Sequence, residues 1–412
     1  MTPDPAMLVN YLGSAPLAPA RGSGVPPAPA AAFRRGPAPS AAPVVPFSVL
    51  VLEGEYRLTG AVLFCLSRQP GLVVRLLSRD ARSPYRFSVY VRTHHVLGPE
   101  KSAAEFVAFA RHVAQATRAQ VLLPVDVPGM RFAIAHRAAL APVLRVLPLP
   151  NAAHYETATD KGLLARFMQH HGIPAPDTIV DIRHELPAQL DGFRFPVLLK
   201  PIEGAGGRGI VRFPNREALL QAVAELPADS RYIIQHCIEG YDIDCNVLYH
   251  NGQLVAHSIQ KGLMPTGGEY APTEAIEFVR DEAVLAVADR LMRALRWSGI
   301  AHLDLRYDAS DQQIKVIEVN TRFWLTVVGS AVTAGVNFPV LACLVALGRP
   351  VPAASYALGR YIPFANFLRQ RFGHVARPRA HSELRFTLRD TSLRAALGDP
   401  LTKLYRFFVD TE

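Results

Sequence analysis

The sequence predicts a mixed fold in which an α/β part with an open parallel sheet precedes an α+β part of antiparallel strands. Between residues 47 and 150, short apolar runs of strand length alternate with segments of helical spacing, which is typical of a parallel sheet. Between residues 195 and 260, strand-like runs follow one another with glycine turns between them, which favours hairpins. With 412 residues, 50% of them hydrophobic, the chain can form two or three domains.

The elements of the first part can be placed one by one. Strands are predicted at residues 47–52, 72–77 and 121–124, and helices at residues 58–68 and 103–116. The first turn, Glu53-Gly54-Glu55, lacks the G-x-G-x-x-G pattern of a dinucleotide site. Residues 160–171 show the i,i+4 apolar pairs of a helix, with Thr159 as the candidate cap. Residues 281–297 predict a second amphipathic helix.

Composition suggests where domains begin and end. Residues 1–45 are rich in alanine and proline and predict a disordered tail. We expect an α/β domain at residues 46–150, a second domain at 151–350 with a small lobe near 175–240, and a basic helical or mixed subdomain at 351–412. Residues 325–348 are uncharged, but glycine, asparagine and proline interrupt them, so two buried helices with a turn at 335–339 are expected rather than a membrane span.

Charge and cysteine usage exclude several classes of protein. The net charge is +9, from 44 basic and 35 acidic residues, and no long basic block occurs. Nucleic-acid binding is therefore weakly supported, whereas an anionic small substrate fits. The four cysteines form no C-x-x-C pair, so neither a disulfide framework nor a zinc site is indicated. A reduced, cytoplasmic setting is expected.

An acidic hairpin carries the strongest functional signal. The run Val316–Arg322 places a carboxylate, an amide and a guanidinium at Glu318, Asn320 and Arg322, which would share one face of a strand. If the hairpin folds about Asp311, within the predicted turn at residues 308–313, Asp304 lies opposite Glu318. Like charges opposite one another destabilise a sheet, and a hard cation such as Mg²⁺ would offset them. A solvated hairpin whose charges do not interact is the alternative.

A lysine and a glycine-rich turn form a second candidate site. The buried strand 195–201 contains Lys200, and the turn 204–209 contains four glycines and Arg208. Glycines let backbone N–H groups approach an anion. The G-K-[ST] signature of a P-loop is absent, and a strand follows, so the turn is expected to close a hairpin over phosphates. A tight turn without function is the alternative.

A third segment could border a nucleotide. Residues 231–240 predict a strand that runs into a glycine turn, and Asp242, Asp244 and Asn246 alternate on the next strand. Backbone groups near Gln235 to Ile238 could pair with a purine, and Asp242 could accept ribose hydroxyls. Each of these features alone is also found in ordinary turns.

Taken in order, these motifs resemble the ATP-grasp superfamily over about residues 47–348. The order is Lys161 at a helix start, Lys200 before the glycine turn, Asp242 after the third segment, and then the acidic hairpin. Residues 318–326 resemble the E-I-N-P-R-F-W-G-S motif of carboxylate–amine ligases in this superfamily. The resemblance implies a Rossmann-like domain that precedes a two-lobed ATP-grasp domain.

The resemblance also implies which residues bind ATP and metal. Asp304, Glu318 and Asn320 would ligate one or two Mg²⁺ or Mn²⁺ ions. The nucleotide would be contacted by Lys161, Lys200, Gly204, Gly206, Gly207, Arg208, Gly209, Gln235, Cys237, Ile238 and Asp242.

Two further basic side chains would take part in catalysis. Arg322 would stabilise the transferring phosphoryl group or an acyl phosphate, and Lys261 would reach the γ-phosphate. The loop at residues 264–269 would lie beside the carboxylate substrate. For the base that accepts the proton of the amine, His302 and Glu269 are weak candidates, and a structural role is the preferred interpretation of His302.

Three positions depart from the family pattern. His236 stands where glutamate is common, Thr321 replaces a common proline, and Leu325 replaces a small residue in the turn. The first departure weakens a contact to the nucleotide, and the last would reshape the acceptor pocket.

The function that these features predict is an ATP-dependent ligase that joins a carboxylate to an amine through an acyl phosphate. Its substrates would be small molecules such as amino acids; neither nucleic acid nor membrane is an expected partner, and a homodimer is compatible with the resemblance. The alternatives are a phosphotransferase or carboxylating enzyme on the same scaffold, and a nucleotide-binding module without turnover.

Overall fold

The computed structural model describes residues 46–204, 206–263, 273, 275–352, 355–372 and 385–409. They divide into two compact units, one formed by residues 177–237 and the other by residues 46–176 and 238–409. The alanine- and proline-rich tail at residues 1–45 and the predicted substrate loop at 264–269 lie outside the described residues.

An open parallel sheet begins the larger unit, as its alternating strands and helices predicted. Its strand order is β3-β2-β1-β4-β5, and all its neighbours are parallel. Glu55 starts the first helix by accepting hydrogen bonds from the backbone N–H groups of Arg57 and Leu58. The strands are β1 (Ser48–Leu52), β2 (Val73–Ser78), β3 (Thr93–Val96), β4 (Val121–Pro124) and β5 (Arg145–Val146).

Most helices of this first part lie between the strands of the parallel sheet in chain order, and the last two follow its final strand. The helix predicted at residues 160–171 starts at Lys161, and its cap is Asp160 rather than Thr159, because the Asp160 carboxylate accepts from Gly162 and Leu163 at 2.9 Å. A 3-10 turn spans Pro84–Phe87. The α-helices are α1 (Tyr56–Ser67), α2 (Ala103–Thr117), α3 (Val127–Ala135), α4 (Arg137–Leu140), α5 (Ala152–Thr159) and α6 (Lys161–His170).

The smaller unit, residues 177–237, is a four-stranded antiparallel sheet with two helices. Its strand order is β6-β9-β7-β8, and β7 and β8 form the predicted hairpin around the glycine-rich turn. The helix Arg216–Ala224 lies in a stretch that the sequence predicted to be mostly strands. The elements are β6 (Thr178–Ile179), α7 (Leu186–Gln189), β7 (Val197–Pro201), β8 (Val211–Phe213), α8 (Arg216–Ala224) and β9 (Tyr232–His236).

A six-stranded antiparallel sheet belongs to the larger unit, with the order β14-β13-β10-β11-β12-β15, in which β15 is Gly359–Tyr361. The amphipathic helix predicted at residues 281–297 packs on it through Val284, Ala288 and Leu291, which are fully buried. The elements are β10 (Gly240–His250), β11 (Gln253–Gly262), β12 (Ile276–Val279), α9 (Glu282–Ala294), β13 (Gly299–Asp308) and β14 (Gln313–Asn320). The predicted fold class, a parallel α/β sheet followed by antiparallel sheets, is confirmed.

Two buried helices occupy residues 327–346, as predicted. A short helix, α10 (Val327–Gly329), continues into a π-helix (Ser330–Ala334), and α11 (Phe338–Ala346) follows after a turn. Among the described residues no single helix is long and apolar enough to cross a membrane. One pair of helices in the described part of the chain, Val327–Ala334 and Phe338–Ala346, reaches that length and composition together, and the two helices are bent by 94°.

The C-terminal segment mixes helices with one strand. That strand, β15, pairs with β12 and so joins the large sheet at its edge. The elements are β15 (Gly359–Tyr361), α12 (Phe364–Phe372), a 3-10 turn (Leu388–Asp390), α13 (Leu393–Leu397) and α14 (Pro400–Val409).

Gly240 allows β10 and β13 to approach at the start of their long pairing. Its φ is +156°, and a Cβ atom there would overlap the carbonyl oxygen of Tyr307. We expect Gly240→Ala to lower the free energy of unfolding by about 2 kcal/mol, because the backbone of β13 must shift. Urea unfolding measures this; Gly98→Ala is the matched control, since nothing lies within 4 Å of a Cβ there. Equal midpoints for the two variants would contradict it.

Candidate active site

The acidic pair predicted from the hairpin is present on neighbouring strands. Asp304 on β13 and Glu318 on β14 are direct partners, and Asp244 on β10 is the partner of Asp304 on its other side. Three carboxylates therefore lie in one row across three strands. Asp304 lies on the middle strand of this row and keeps 34% of its side chain exposed.

Lys161 neutralises one end of the row. Its ammonium lies 3.2 Å from a carboxylate oxygen of Glu318, and both side chains are mostly buried. Lys161 is the first residue of α6, and Asp160 at the cap of that helix fixes where the helix begins. The lysine that the resemblance assigned to phosphate and the glutamate that it assigned to metal are therefore in contact.

Asn320 and Arg322 extend the same face. The strand ends at Asn320, yet Arg322 turns back so that its Nη2 donates to the side-chain oxygen of Asn320 at 3.1 Å. The amide nitrogen of Asn320 lies 3.3 Å from both oxygens of Asp304. The four residues of this motif therefore lie together: strand alternation places Glu318 and Asn320 on one face, and the hydrogen bond to Asn320, not the strand, holds Arg322 there.

His302 lies in the next row of the sheet, between Asn246 and Asn320. Its Nδ1 lies 2.7 Å from the side-chain oxygen of Asn246, and its Nε2 lies 2.9 Å from Asp304. Its ring stacks on Trp324 at 5.7 Å between centroids. Polar partners at both ring nitrogens and the stacked indole of Trp324 thus fix the orientation of the imidazole.

Burial and charge shift the pKa values of this cluster in opposite directions. Burial, together with the charge of Asp304, raises the pKa of Asp244, although His302 opposes this. Burial acts to raise the pKa of Asp304, but the charge and the hydrogen bond of His302 outweigh burial and lower that pKa. Burial acts to lower the pKa of His302, and the two aspartates outweigh it, so that pKa is raised. Of the two aspartates, Asp304 therefore ionises more readily than Asp244, and the aspartates favour the charged form of His302.

Lys261 and Asp242 already have partners in the large unit. Lys261 follows Gln260 on β11, so the alternation of a strand directs it to the face opposite Asp244, and its ammonium lies 4.4 Å from the centre of the Tyr241 ring. Asp242 forms an ion pair with Arg306 at 2.5 Å and is 56% exposed. Their proposed contacts to the γ-phosphate and the ribose remain predictions.

The smaller unit, residues 177–237, holds the other predicted nucleotide residues. Lys200 on β7 is buried, and its ammonium donates to the side-chain oxygen of Gln235 at 2.6 Å. In the turn that follows, Gly204, Gly206, Gly207 and Gly209 all have positive φ, which side chains rarely adopt, while Arg208 is exposed. Two predicted ATP residues thus contact one another beside a turn that requires glycine.

Cys237 and Ile238 follow β9, where the chain passes from one unit to the other. The backbone N–H of Cys237 donates to Pro196 at 2.9 Å. The carbonyl of Ile238 accepts from Arg306 at 3.0 Å. Both side chains are buried, and their role beside adenine remains a prediction.

Sequence reasoning gave too little weight to the polar residues on β10 and β11. Asn246, Ser258 and Gln260 are buried and hydrogen-bonded to one another on the face that carries Asp304. The signal was the period-two polar pattern within otherwise apolar strands. Thr321, one of the departures, has a local role, because its hydroxyl bonds to Thr159 at 2.9 Å.

The donor set fits a hard divalent cation. Asp304 and Glu318 offer carboxylate oxygens and Asn320 offers an amide oxygen, which are the ligands that Mg²⁺ takes. Two facing carboxylates are unfavourable unless positive charge compensates them, and here Lys161 supplies such charge from a helix start. Cations and anionic oxygens alternating on one sheet face can hold a polyphosphate with its metal.

Comparison with known proteins assigns this region to a family. The ATP-grasp domain family matches residues 158–326. The carbamoyl-phosphate synthase of Methanobrevibacter smithii is 25% identical over 194 residues, 45% of this chain and 52% of that protein. The vancomycin C-type resistance protein VanC1 of Enterococcus gallinarum is 28% identical over 200 residues, 43% of this chain and 58% of that protein. The chain thus spans about half the length of the curated relatives that it matches.

Solved structures share the fold over a longer stretch. The L-amino acid ligase from Bacillus licheniformis superposes with a TM-score of 0.56 at 19% identity, over 73% of this chain and 74% of that chain. This structural similarity covers more of the chain than residues 158–326, so it includes the fold of elements on either side of the family match. The family match also includes Lys161, the glycine-rich turn and the acidic hairpin, the motifs that carried the resemblance. Residues 158–326 of this chain therefore match the ATP-grasp domain family, and the fold around them is shared with solved ATP-dependent ligases.

Proposed function

We propose that this protein is an ATP-dependent ligase that joins the carboxylate of one small molecule to the amine of another. The observation that carries this proposal is the convergence of Asp304, Glu318, Asn320 and Arg322 on one sheet face with Lys161 against it. Relatives named as a D-alanine–D-alanine ligase and an L-amino acid ligase support it. Amino acids or similar metabolites are accordingly the substrate class that we infer.

ATP and Mg²⁺ or Mn²⁺ would be the cofactors, and the chain offers a residue for each task. Asp304, Glu318 and Asn320 would hold the metal, which when bound offsets the negative charge of the phosphate oxygens. Lys161 lies 3.2 Å from Glu318 and would place its ammonium beside the same phosphates. In the smaller unit, Lys200 and the glycine-rich turn offer a cation and backbone N–H groups to an anion.

The chemistry that these groups favour has two steps. A carboxylate is a poor electrophile, so one of its oxygens first attacks the γ-phosphorus of ATP, and ADP leaves. The carboxylate is now an acyl phosphate, whose carbonyl the amine attacks while phosphate leaves and the amine loses a proton. Arg322, fixed through Asn320 and the carbonyl of Phe323, would stabilise the negative oxygens in both steps.

The proposed reaction makes ADP formation depend on two substrates. We expect purified protein to release ADP quickly only when a carboxylate and an amine are both present, and mass spectrometry to find the amide product. A panel of amino-acid pairs with ATP and Mg²⁺ is the screen. Chelation of the metal should stop ADP release, and added Mg²⁺ should restore it.

The same screen separates the rival functions. Steady ADP release with an acid alone and no coupled product would contradict a ligase. Release that depends on bicarbonate would indicate a carboxylating enzyme, and Mg-ATP binding without any ADP over hours would indicate a module without turnover.

A further inference from the structure

Asp304 faces a second set of donors on the side away from Glu318. Its carboxylate lies on the middle strand, β13, with Glu318 on one neighbouring strand and Asp244 on the other. Nε2 of His302 lies 2.9 Å from Asp304 and 4.0 Å from Asp244. The three donor atoms of Asp244, His302 and Asp304 all lie within 4.8 Å of one another.

A chain of hydrogen bonds fixes which nitrogen of His302 faces these carboxylates. Gln260 directs its amide nitrogen to the carboxylate of Asp244 at 3.1 Å, so its side-chain oxygen faces Asn246. The amide nitrogen of Asn246 donates to that oxygen and to Ser258, each at 3.1 Å. The oxygen of Asn246 therefore faces His302 at 2.7 Å, and Nδ1 of the imidazole must carry the hydrogen.

This arrangement is the one that supports a metal-binding histidine. Histidine ligands usually donate their other ring N–H to a carbonyl or carboxylate, which fixes the ring and leaves the second nitrogen free for the metal. Here Asn246 accepts from Nδ1, and Trp324 stacks on the ring, so Nε2 is held toward the two aspartates. A metal ion that displaces the proton between Nε2 and Asp304 would find three ligands, Nε2 and the two carboxylates.

We propose that Asp244, His302 and Asp304 form a site for a transition-metal dication such as Zn²⁺, separate from the Mg²⁺ site and sharing Asp304 with it. Donor atoms around a tetrahedral ion lie about 3.4 Å apart, so the present spacing needs only small side-chain movements. One imidazole among oxygen donors favours Zn²⁺ over Mg²⁺, which takes oxygens. Two ions, one on each side of Asp304, would be separated by about the spacing of neighbouring strands, ~4.8 Å.

Metal content in the absence of nucleotide tests this site. The 412-residue protein is dialysed against Zn²⁺ with an excess of Mg²⁺, and bound zinc is measured by mass spectrometry. We expect about one Zn²⁺ per chain in the wild type and a loss of nearly all of it in Asp244→Asn and His302→Ala. Asn246→Ala removes only the group that orients the imidazole and should weaken Zn²⁺ affinity by about 10- to 100-fold in calorimetry.

Two controls make the result specific. Glu318→Gln alters only the Mg²⁺ side of Asp304 and should keep its zinc, and His250→Ala removes an exposed histidine on the same strand as Asp244.

Zn²⁺ should also raise the melting temperature of the wild type but not that of Asp244→Asn, whose own cooperative melting shows that the variant is folded. A wild type without zinc, or variants that bind zinc as the wild type does, would overturn the site. Neither outcome bears on ligase activity, because no ATP or substrate is present.

Discussion

Replacing Glu318 by glutamine is expected to lower the rate of ADP formation by about 10³-fold or more. The change keeps the shape of the side chain but removes the negative charge that would face the metal from β14. It also removes the ion pair with Lys161, so that the ammonium is no longer held at 3.2 Å from this position. The measurement is ADP release with saturating acid, amine, ATP and Mg²⁺.

The fold should tolerate this substitution. Glu318 lies directly opposite Asp304, and removing one of two facing carboxylates relieves repulsion, which offsets the lost ion pair. The melting temperature should therefore stay within a few degrees of the wild type. Glu282→Gln, which makes the same chemical change at an exposed position in the first turn of α9, is the matched control and should keep full activity. An active Glu318→Gln variant would remove the metal assignment.

The pairing of Asp304 with Glu318 was predicted correctly, but the hairpin reaches it differently from the simple fold-back assumed. Next to the turn, Asp308 pairs with Gln313, a register that would have placed Asp304 opposite Ile317. A bulge between Asp304 and Leu305 shifts the register by one residue and brings Glu318 into line. Bulges are common beside active sites because they re-aim a side chain. Composition gives no signal for such an insertion, whereas the alternation of polar residues did indicate which side chains share a face.

Local sequence patterns thus predicted the strands, whereas contacts between residues far apart in the chain could be found only in the structure. Lys161 stands 157 positions before Glu318, so no spacing rule connects them, and only the packing of α6 brings them to 3.2 Å. The cap of α6 was misplaced by one residue, since Thr159 and Asp160 can both serve and the fold uses Thr159 to bond Thr321. The helix Arg216–Ala224 was missed because strands on both sides dominated the pattern.

The hairpin that carries the acidic pair depends on a buried ion pair near its turn. Lys315 on β14 lies 2.7 Å from Asp308 and 2.6 Å from Asp311, and its side chain is only 8% exposed. Asp308 also accepts from the backbone and hydroxyl of Ser310. Because the side chain of Asp308 is 1% exposed, its charge needs these partners.

We expect Lys315→Met to lower the free energy of unfolding by about 3 to 5 kcal/mol, since it leaves the buried carboxylate of Asp308 without its cation. Both tryptophans, Trp297 and Trp324, are buried in the larger unit, so their fluorescence in urea reports the unfolding of the part that contains the hairpin. Adding Asp308→Asn to Lys315→Met should recover most of the loss, because the new amide side chain is neutral and can still accept from Ser310. Equal stabilities of the single and double variants would contradict this coupling.

The same ion pair predicts how stability depends on pH. Burial acts to raise the pKa of Asp308, but the hydrogen bonds of Lys315 and Ser310 outweigh it and lower that pKa to about 2, from 3.8. The folded protein therefore holds this proton less tightly than the unfolded chain, and the stabilisation, about 2 kcal/mol, is complete above pH ~4. It is lost as the pH falls from about 4 to about 2. In Lys315→Met the pKa is no longer lowered by an ammonium, so urea midpoints measured across this interval should fall less steeply than in the wild type; parallel curves would show that Lys315 does not set the charge of Asp308.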